Sequence, residues 1–201
     1  MIIIYRICIN IILILSPFII LFRILNKKEN SKRFLEKYCF FSKKKIRGNL
    51  IWIHVASVGE LMSVIPLINK LEKSKKIKQI LITSTTVSSS KIFNNFKFKK
   101  CIHQFFPIDN NYLTKKFLKY WEPKLAIFVE SEIWPNMLLN LKHKNIPIIL
   151  LNGRITEKSY KRWLIFSNFA KTLFKSIDLC LTSNRETKNY LKKLGAKKIK
   201  Y

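Results

Sequence analysis

The chain has 201 residues, 39 basic against 11 acidic, and a formal net charge of +28. That charge suits an anionic membrane surface, an anionic substrate or nucleic acid. It is spread along the chain mainly as lysine, however, and no recognition-helix, RRM or zinc pattern accompanies it, so nucleic-acid binding is set aside.

Ile2 to Leu25 is strongly apolar, interrupted by Arg6, Asn10, Pro17 and Arg23. Its uncharged core, Ile7 to Phe22, has 16 residues, about 24 Å as a helix. That is short for a hydrocarbon core of roughly 30 Å, although Arg6 and Arg23 can snorkel to extend it. No small-x-small cleavage site follows. Residues 1–25 are therefore expected to form a single N-terminal membrane anchor. Lys27, Lys28, Lys32, Arg33, Lys37 and Lys43 to Lys45 would keep the following domain on the cytoplasmic face, against acidic headgroups. Residues 26–48 read as a basic linker, and 49–201 as the domain.

From Leu50 onward, strand and helix patterns alternate. Leu50 to Val55 is an apolar strand, followed by a helix with Leu61, Val64, Ile65, Ile68 and Leu71 on one face. Ile77 to Thr83 reads as a second strand, leading through the hydroxyl-rich run Thr83 to Ser90 into a helix ending near Phe96. Cys101 to Phe106 is a third strand, Tyr112 to Trp121 a helix, and Leu125 to Val129 a fourth strand. Met137 to Lys144 is helical, Ile146 to Leu151 a fifth strand, and Tyr160 to Phe174 an aromatic-rich helix. Leu179 to Thr182 is a short strand, and a last helix, Glu186 to Leu194, is closed by Gly195. Five or six apolar strands separated by helices predict an α/β fold with a Rossmann-like parallel sheet covered on both faces.

In such a sheet the β–α turns open on one edge, where ligands bind. Ser57, Gly59, Glu60, Thr85, Glu130, Glu132, Asn136 and Arg154 should converge there. Gly59 would allow a tight turn or a close backbone approach. Glu60 stands in the first turn of a helix and has two readings, a helix cap or a general base facing the cleft. Glu130 and Glu132 leave a strand end, and at most one is expected in the cleft. Trp134 reads as core packing or substrate stacking, and Pro135 suits the first turn of the next helix. Arg154 could clamp an anion, and the hydroxyls could hold sugar or phosphate oxygens or simply cap helices. The Tyr160–Phe174 stretch is either a second membrane-facing surface or a helix packed on the sheet. His54, His103 and His143 form no ligand motif, and a structural role is the favoured reading of each. The four cysteines have no metal-site spacing and read as free thiols. No GxGxxG or GxxxxGK(S/T) motif is present.

Several blocks together resemble the lipid A 3-deoxy-D-manno-octulosonic acid (Kdo) transferases, glycosyltransferase family 30. They begin with Trp52 to Glu60, Ile65-Pro66-Leu67, Thr83 to Thr86 with Ser90, and His103-Gln104 through Phe106 to Asp109. They continue with Pro123 to Leu125, Glu130 to Asn136, Asn152 to Ile155 with Ser159, and Leu194 to Ala196. The resemblance covers most of the chain, in order, and implies the N-terminal domain of an inverting GT-B glycosyltransferase. It implies transfer of Kdo from CMP-Kdo to the lipid A precursor lipid IVA at the inner membrane, with Glu60 as general base and no metal or other cofactor. It also implies a second, donor-binding Rossmann-like domain beyond Tyr201. The expectation is thus a chain with little activity alone, either a product of gene truncation or one piece completed by a separately encoded half. The competing expectation is a non-catalytic membrane-associated module that binds the lipid A precursor.

Overall fold

Apolar runs with no polar alternation need cover on both faces, and the fold provides it. The computed structural model, which describes residues 1–201, holds seven strands. They are β1 (Leu50–Val55), β2 (Gln79–Ser84), β3 (Cys101–Phe105), β4 (Leu125–Val129), β5 (Ile148–Gly153), β6 (Leu179–Thr182) and β7 (Ile199–Lys200). All pairings are parallel, in the order β3-β2-β1-β4-β5-β6-β7. This is the Rossmann-like sheet expected for the first half of a GT-B glycosyltransferase. The helices between strands are α2 (Val58–Glu72), α3 (Val87–Phe93), α4 (Asn111–Trp121) and α5 (Pro135–His143), then α6 (Glu157–Ile165), α7 (Ser167–Lys175) and α8 (Arg185–Lys193). Alternate residues of β1 feed the two sides of the sheet. Trp52 joins a core with Leu81, Phe117, Trp121 and Phe128, whereas Ile53 and Val55 pack with Leu61, Val64 and Ile68 of α2.

Three expectations change. The helix read as Tyr160 to Phe174 is two helices that meet at Phe166. The bend lets Trp163 sit edge-on against Phe174, with ring centroids 5.5 Å apart. Phe174 is buried, while Leu164, Ile165 and Phe166 remain exposed, so the stretch is part core and part surface. A two-residue strand, β7, extends the sheet beyond the strands read from the sequence, too short to leave a pattern. The basic linker is tied down: it contains a 3-10 turn, Phe34–Tyr38, whose Glu36 is buried. Glu36 accepts from Arg33 Nε at 2.8 Å, from the Ser42 hydroxyl and from the Phe105 N–H at 2.8 Å.

Helix α1 (Ile2–Leu25) is apolar and long enough to cross a bilayer by length and composition. Pro17 lies inside it and leaves the Leu13 carbonyl without its backbone donor. The Ser16 hydroxyl donates to that carbonyl at 2.6 Å instead, and also meets the Tyr38 hydroxyl at 2.6 Å. The helix therefore runs unbroken, with one side against the domain.

Candidate functional site

The strand order reverses between β1 and β4, and there the turns after the two strands diverge to leave a crevice. Glu60 follows β1, and Glu130 and Glu132 follow β4, so the crevice is lined with carboxylates from both sides.

Ser57 is the N-cap of α2 and its hydroxyl accepts from the Glu60 N–H at 3.2 Å. The Glu60 side chain folds back: its Oε2 accepts from the Ala56 N–H at 2.8 Å, and its Oε1 accepts from the Ser57 hydroxyl at 3.2 Å. This is a variant of the capping box that reaches one residue further back than usual. Capping and cleft position therefore coincide in one side chain. Burial raises the Glu60 pKa above the ordinary carboxylate value; the Ala56 and Ser57 bonds oppose it, and the charges of Glu132 and Glu130 add to it. Of the two acids of the β4 turn, Glu132 has the larger effect on Glu60. The strand ends at Val129 and Glu130 takes a left-handed φ of 58°, so the chain does not stay extended between the two acids, as the sequence led us to expect.

Glu132 is held rigidly. Its Oε2 accepts from the Trp134 indole N–H at 2.8 Å and lies 3.1 Å from His54 Nε2. On the ring's other side, His54 Nδ1 lies 2.9 Å from the Thr83 hydroxyl, whose oxygen also accepts from the Trp52 indole N–H at 2.8 Å. A carboxylate only accepts, and the Thr83 oxygen already receives a proton from Trp52. The Glu132 contact calls for a hydrogen on Nε2, whereas the Thr83 carbonyl 3.3 Å from Nδ1 and the Trp134 indole N–H 3.2 Å from Nε2 call for one on Nδ1, so the ring has partners on both sides in either tautomer. Burial lowers the His54 pKa, outweighing the opposing effect of Glu132, and keeps the ring neutral. Trp52, Thr83, His54 and Trp134 thus form one hydrogen-bonded network around Glu132. His54 also stacks on Phe106, centroids 4.0 Å apart.

The other predicted residues divide. Thr85 donates to the Ala56 carbonyl at 3.0 Å, fastening the β2 turn to the Glu60 turn. Arg154 is exposed, and its guanidinium enters none of the chain's salt bridges. Its backbone lies against the Glu130 turn, where Ser131 Oγ donates to the Arg154 carbonyl at 2.5 Å. Gly59 does not form the tight turn anticipated: it lies in the first turn of α2, and an added Cβ would meet only Ser57 Oγ, at 3.9 Å. Its open side faces solvent rather than protein. Asn136 is fully buried, donating to the Asp109 carbonyl at 2.6 Å and accepting from Arg6 Nε at 3.0 Å. Those bonds commit its amide to the scaffold. His103 is likewise structural, bonded to Ser84 Oγ at 2.9 Å and to Arg33, with its pKa lowered to about 3 chiefly by burial.

Sequence reasoning missed Asp109. No side chain at Trp134 caps α5, and Asp109 does so from the β3–α4 loop, accepting from the N–H groups of Asn136 and Met137, each at 2.9 Å. Beside it, a cleft of about 310 Å³ opens between α1 and the strand-end loops, lined by Ile9, Ile12, Thr85, Phe106 and Trp134 among others. No group of three His, Cys, Asp or Glu side chains is arranged to hold a metal ion.

Fold and site together define a Rossmann-like lobe with carboxylates at its switch point, of the kind that forms half of a GT-B fold. A family model described as 3-deoxy-D-manno-octulosonic-acid transferase (kdotransferase) matches residues 32–201, and the chain belongs to that family. A 3-deoxy-D-manno-octulosonic acid transferase of Rickettsia felis is 40% identical over 147 residues, 73% of this chain and 32% of that protein. A namesake from Rickettsia bellii is 38% identical over 168 residues, covering 79% of this chain and 40% of that one. The chain thus spans about a third of the length of the curated relatives it matches. Among solved structures, a UDP-N-acetylglucosamine 2-epimerase aligns with a TM-score of 0.54 at 13% identity, covering 76% of this chain and 47% of the epimerase. That likeness establishes the fold.

Proposed function

We propose that this chain supplies the acceptor-side lobe of an enzyme that transfers Kdo from CMP-Kdo to a lipid A precursor, lipid IVA, in lipopolysaccharide biosynthesis. Family membership supports the Kdo chemistry. The observation that carries the residue assignment is the Glu60 carboxylate, fixed at the switch point with a raised pKa. In the step proposed, an acceptor hydroxyl oxygen attacks the anomeric carbon of Kdo. Its proton passes to Glu60, and the bond to the phosphate oxygen of CMP breaks, that oxygen keeping the electron pair. Attack opposite the leaving group inverts the centre. Each Glu60 oxygen accepts one hydrogen bond within the chain and retains a second lone pair for the proton. A base whose pKa is raised toward working pH is better matched to this transfer than an ordinary carboxylate.

Glu132 and Glu130 would accept from acceptor sugar hydroxyls, and Arg154, unpaired at the rim, would meet a phosphate. The step needs no metal or other cofactor, since CMP leaves without strong assistance. Work at the cytoplasmic face of the inner membrane suits a lobe whose N-terminal helix is apolar and is followed by Lys27, Lys28 and Lys32.

The test is radiolabelled Kdo transfer by this chain joined to the remaining portion of the Rickettsia felis relative, with and without Glu60→Gln. The substitution should lower turnover at least a hundredfold while binding to vesicles carrying the lipid precursor changes less than twofold. Unchanged turnover would remove Glu60 from the mechanism. Binding by a chimera that never transfers would favour the second reading, a non-catalytic lipid-binding module, for which the apolar cleft beside Thr85 and Trp134 speaks.

A further inference from the structure

Helix α1 has two unlike faces. Its partly or fully buried residues are Ile2, Tyr5, Arg6, Ile9, Leu13, Ser16, Ile20, Arg23 and Ile24, which apart from the adjacent pairs Tyr5-Arg6 and Arg23-Ile24 recur every three or four positions. Their contacts continue from end to end. Tyr5 donates to Asp109 at 2.7 Å, and Arg6 reaches Asn136 and Asn111 at 3.0 and 3.2 Å. Asn10 accepts from Asn110 at 2.7 Å, Ser16 meets Tyr38, and Arg23 pairs with Glu29 at 3.3 Å. The opposite face carries no charge. Ile3, Ile7, Ile14, Phe18, Phe22 and Leu25 are each more than half exposed.

From Tyr5 to Arg23 the helix rises about 27 Å, close to the thickness of a bilayer's hydrocarbon core. A helix docked over that whole length cannot cross a membrane without taking its partners along. Asp109, Asn110, Asn111, Asn136 and Tyr38 would have to enter the hydrocarbon with it, at several kcal/mol per polar group left short of a partner. Releasing the helix instead would break the Tyr5 and Arg6 bonds to the domain and uncover the buried Ile20.

We propose that α1 does not span the bilayer but lies along its surface, docked on the domain, with its apolar face sunk into an anionic leaflet. The occupant of that face is a lipid surface rather than a second protein copy because of its surroundings. Lys27, Lys28 and Lys32 follow the helix directly within a chain of net charge +28, which complements acidic headgroups and repels its own copy. A second exposed apolar group, Leu164, Ile165 and Phe166 beside Lys161 and Arg162, lies just before α7, whose Phe169 meets Tyr5 on the docked side of α1 (centroids 6.4 Å). An uncharged helical face bordered by cations is the pattern of an interfacial helix. This placement is independent of the transfer chemistry, and it brings the loop carrying Glu132 to the bilayer surface, because Arg6 and Tyr5 hold the Asp109–Asn136 junction.

Depth measurement by spin labelling tests it. Single labels at Ile3→Cys, Ile7→Cys and Phe18→Cys, in a Cys8→Ser, Cys101→Ser background, are read in the full chain on vesicles containing acidic phospholipid. The expected result is similar immersion at all three, about 5–10 Å below the headgroups. A depth that changes steadily from Ile3 to Phe18, over roughly 22 Å of helix, would overturn the proposal, and so would labels that stay in water. Epitope tags before Met1 and after Tyr201 give a second readout. Both should be digested from the same side of inner-membrane vesicles, and digestion from opposite sides would equally overturn the placement.

Discussion

A side chain that caps its own helix and also takes a proton must be held without being neutralised. Glu60 meets both demands because its two bonds come from neutral donors, the Ala56 N–H and the Ser57 hydroxyl, and no cation pairs with it. Burial, then the charge of Glu132, raises its pKa. The basic form is lost as pH falls through that raised value, so the acid limb of kcat/KM should lie above the ordinary glutamate value of about 4.3. Glu132→Gln removes a neighbouring negative charge, which makes Glu60 easier to ionise, and the limb should move to lower pH. A pH–rate profile of the chimera checks the sign; a limb that stays put or moves upward would show that Glu132 does not act on the base. At this scale the sequence was half legible. Glu60 could be read as cap or base because both readings depend on position alone. The network behind Glu132 could not, because Trp52, His54 and Thr83 meet only through the pairing of β1 with β2. Asn136 was misread for the same reason: its partners, Asp109 and Arg6, are distant in sequence.

Elements depend on such distant partners too. Pro135 was legible as the first residue of α5, but Trp134 before it offers no capping oxygen, and the sequence gives no sign that Asp109 supplies one from another loop. Removing that carboxylate leaves two buried N–H groups and the Tyr5 hydroxyl without their acceptor. Asp109→Ala should therefore cost about 2–4 kcal/mol, combining a lost cap with unsatisfied buried donors. Burial also raises the Asp109 pKa to about 6 from 3.8. Between those values the folded chain binds more protons than the unfolded one, so this group's contribution to stability falls as pH rises across the window. Asp109→Asn keeps one acceptor and cannot titrate. Urea unfolding at pH 4 and pH 7 should show this variant gaining stability relative to the wild-type chain as pH rises, because the opposing Asp109 titration is gone while the buried His54 and His103, with lowered pKa values, still favour the folded state at the higher pH. Equal differences in both would assign the titration to another group. The divided helix at Phe166 was illegible for a simpler reason: apolar spacing continues across the bend, and only the packing of Trp163 on Phe174 requires it.

For the whole molecule, the charge of +28 told little while it stood alone, since lysines scattered over a surface fit many partners. Beside the bare apolar face of α1 it gains a direction, because the two features act on a bilayer through terms with different salt dependence. Attraction of lysines to acidic headgroups is screened as the Debye length shrinks from about 10 Å at 0.1 M salt to about 3 Å at 1 M. Burial of Ile7, Ile14, Phe18 and Phe22 in the acyl boundary is not screened. Vesicle co-sedimentation should therefore show tight binding to acidic lipid at 0.1 M salt and affinity that falls severalfold, but not to zero, at 1 M. Binding to purely zwitterionic vesicles should be weaker and nearly independent of salt. Phe18→Glu and Phe22→Glu on that face should abolish the salt-resistant part while leaving the salt-sensitive part measurable. If 1 M salt strips the wild-type chain from acidic vesicles completely, the apolar face is not in the lipid, and only the lysines hold the protein there.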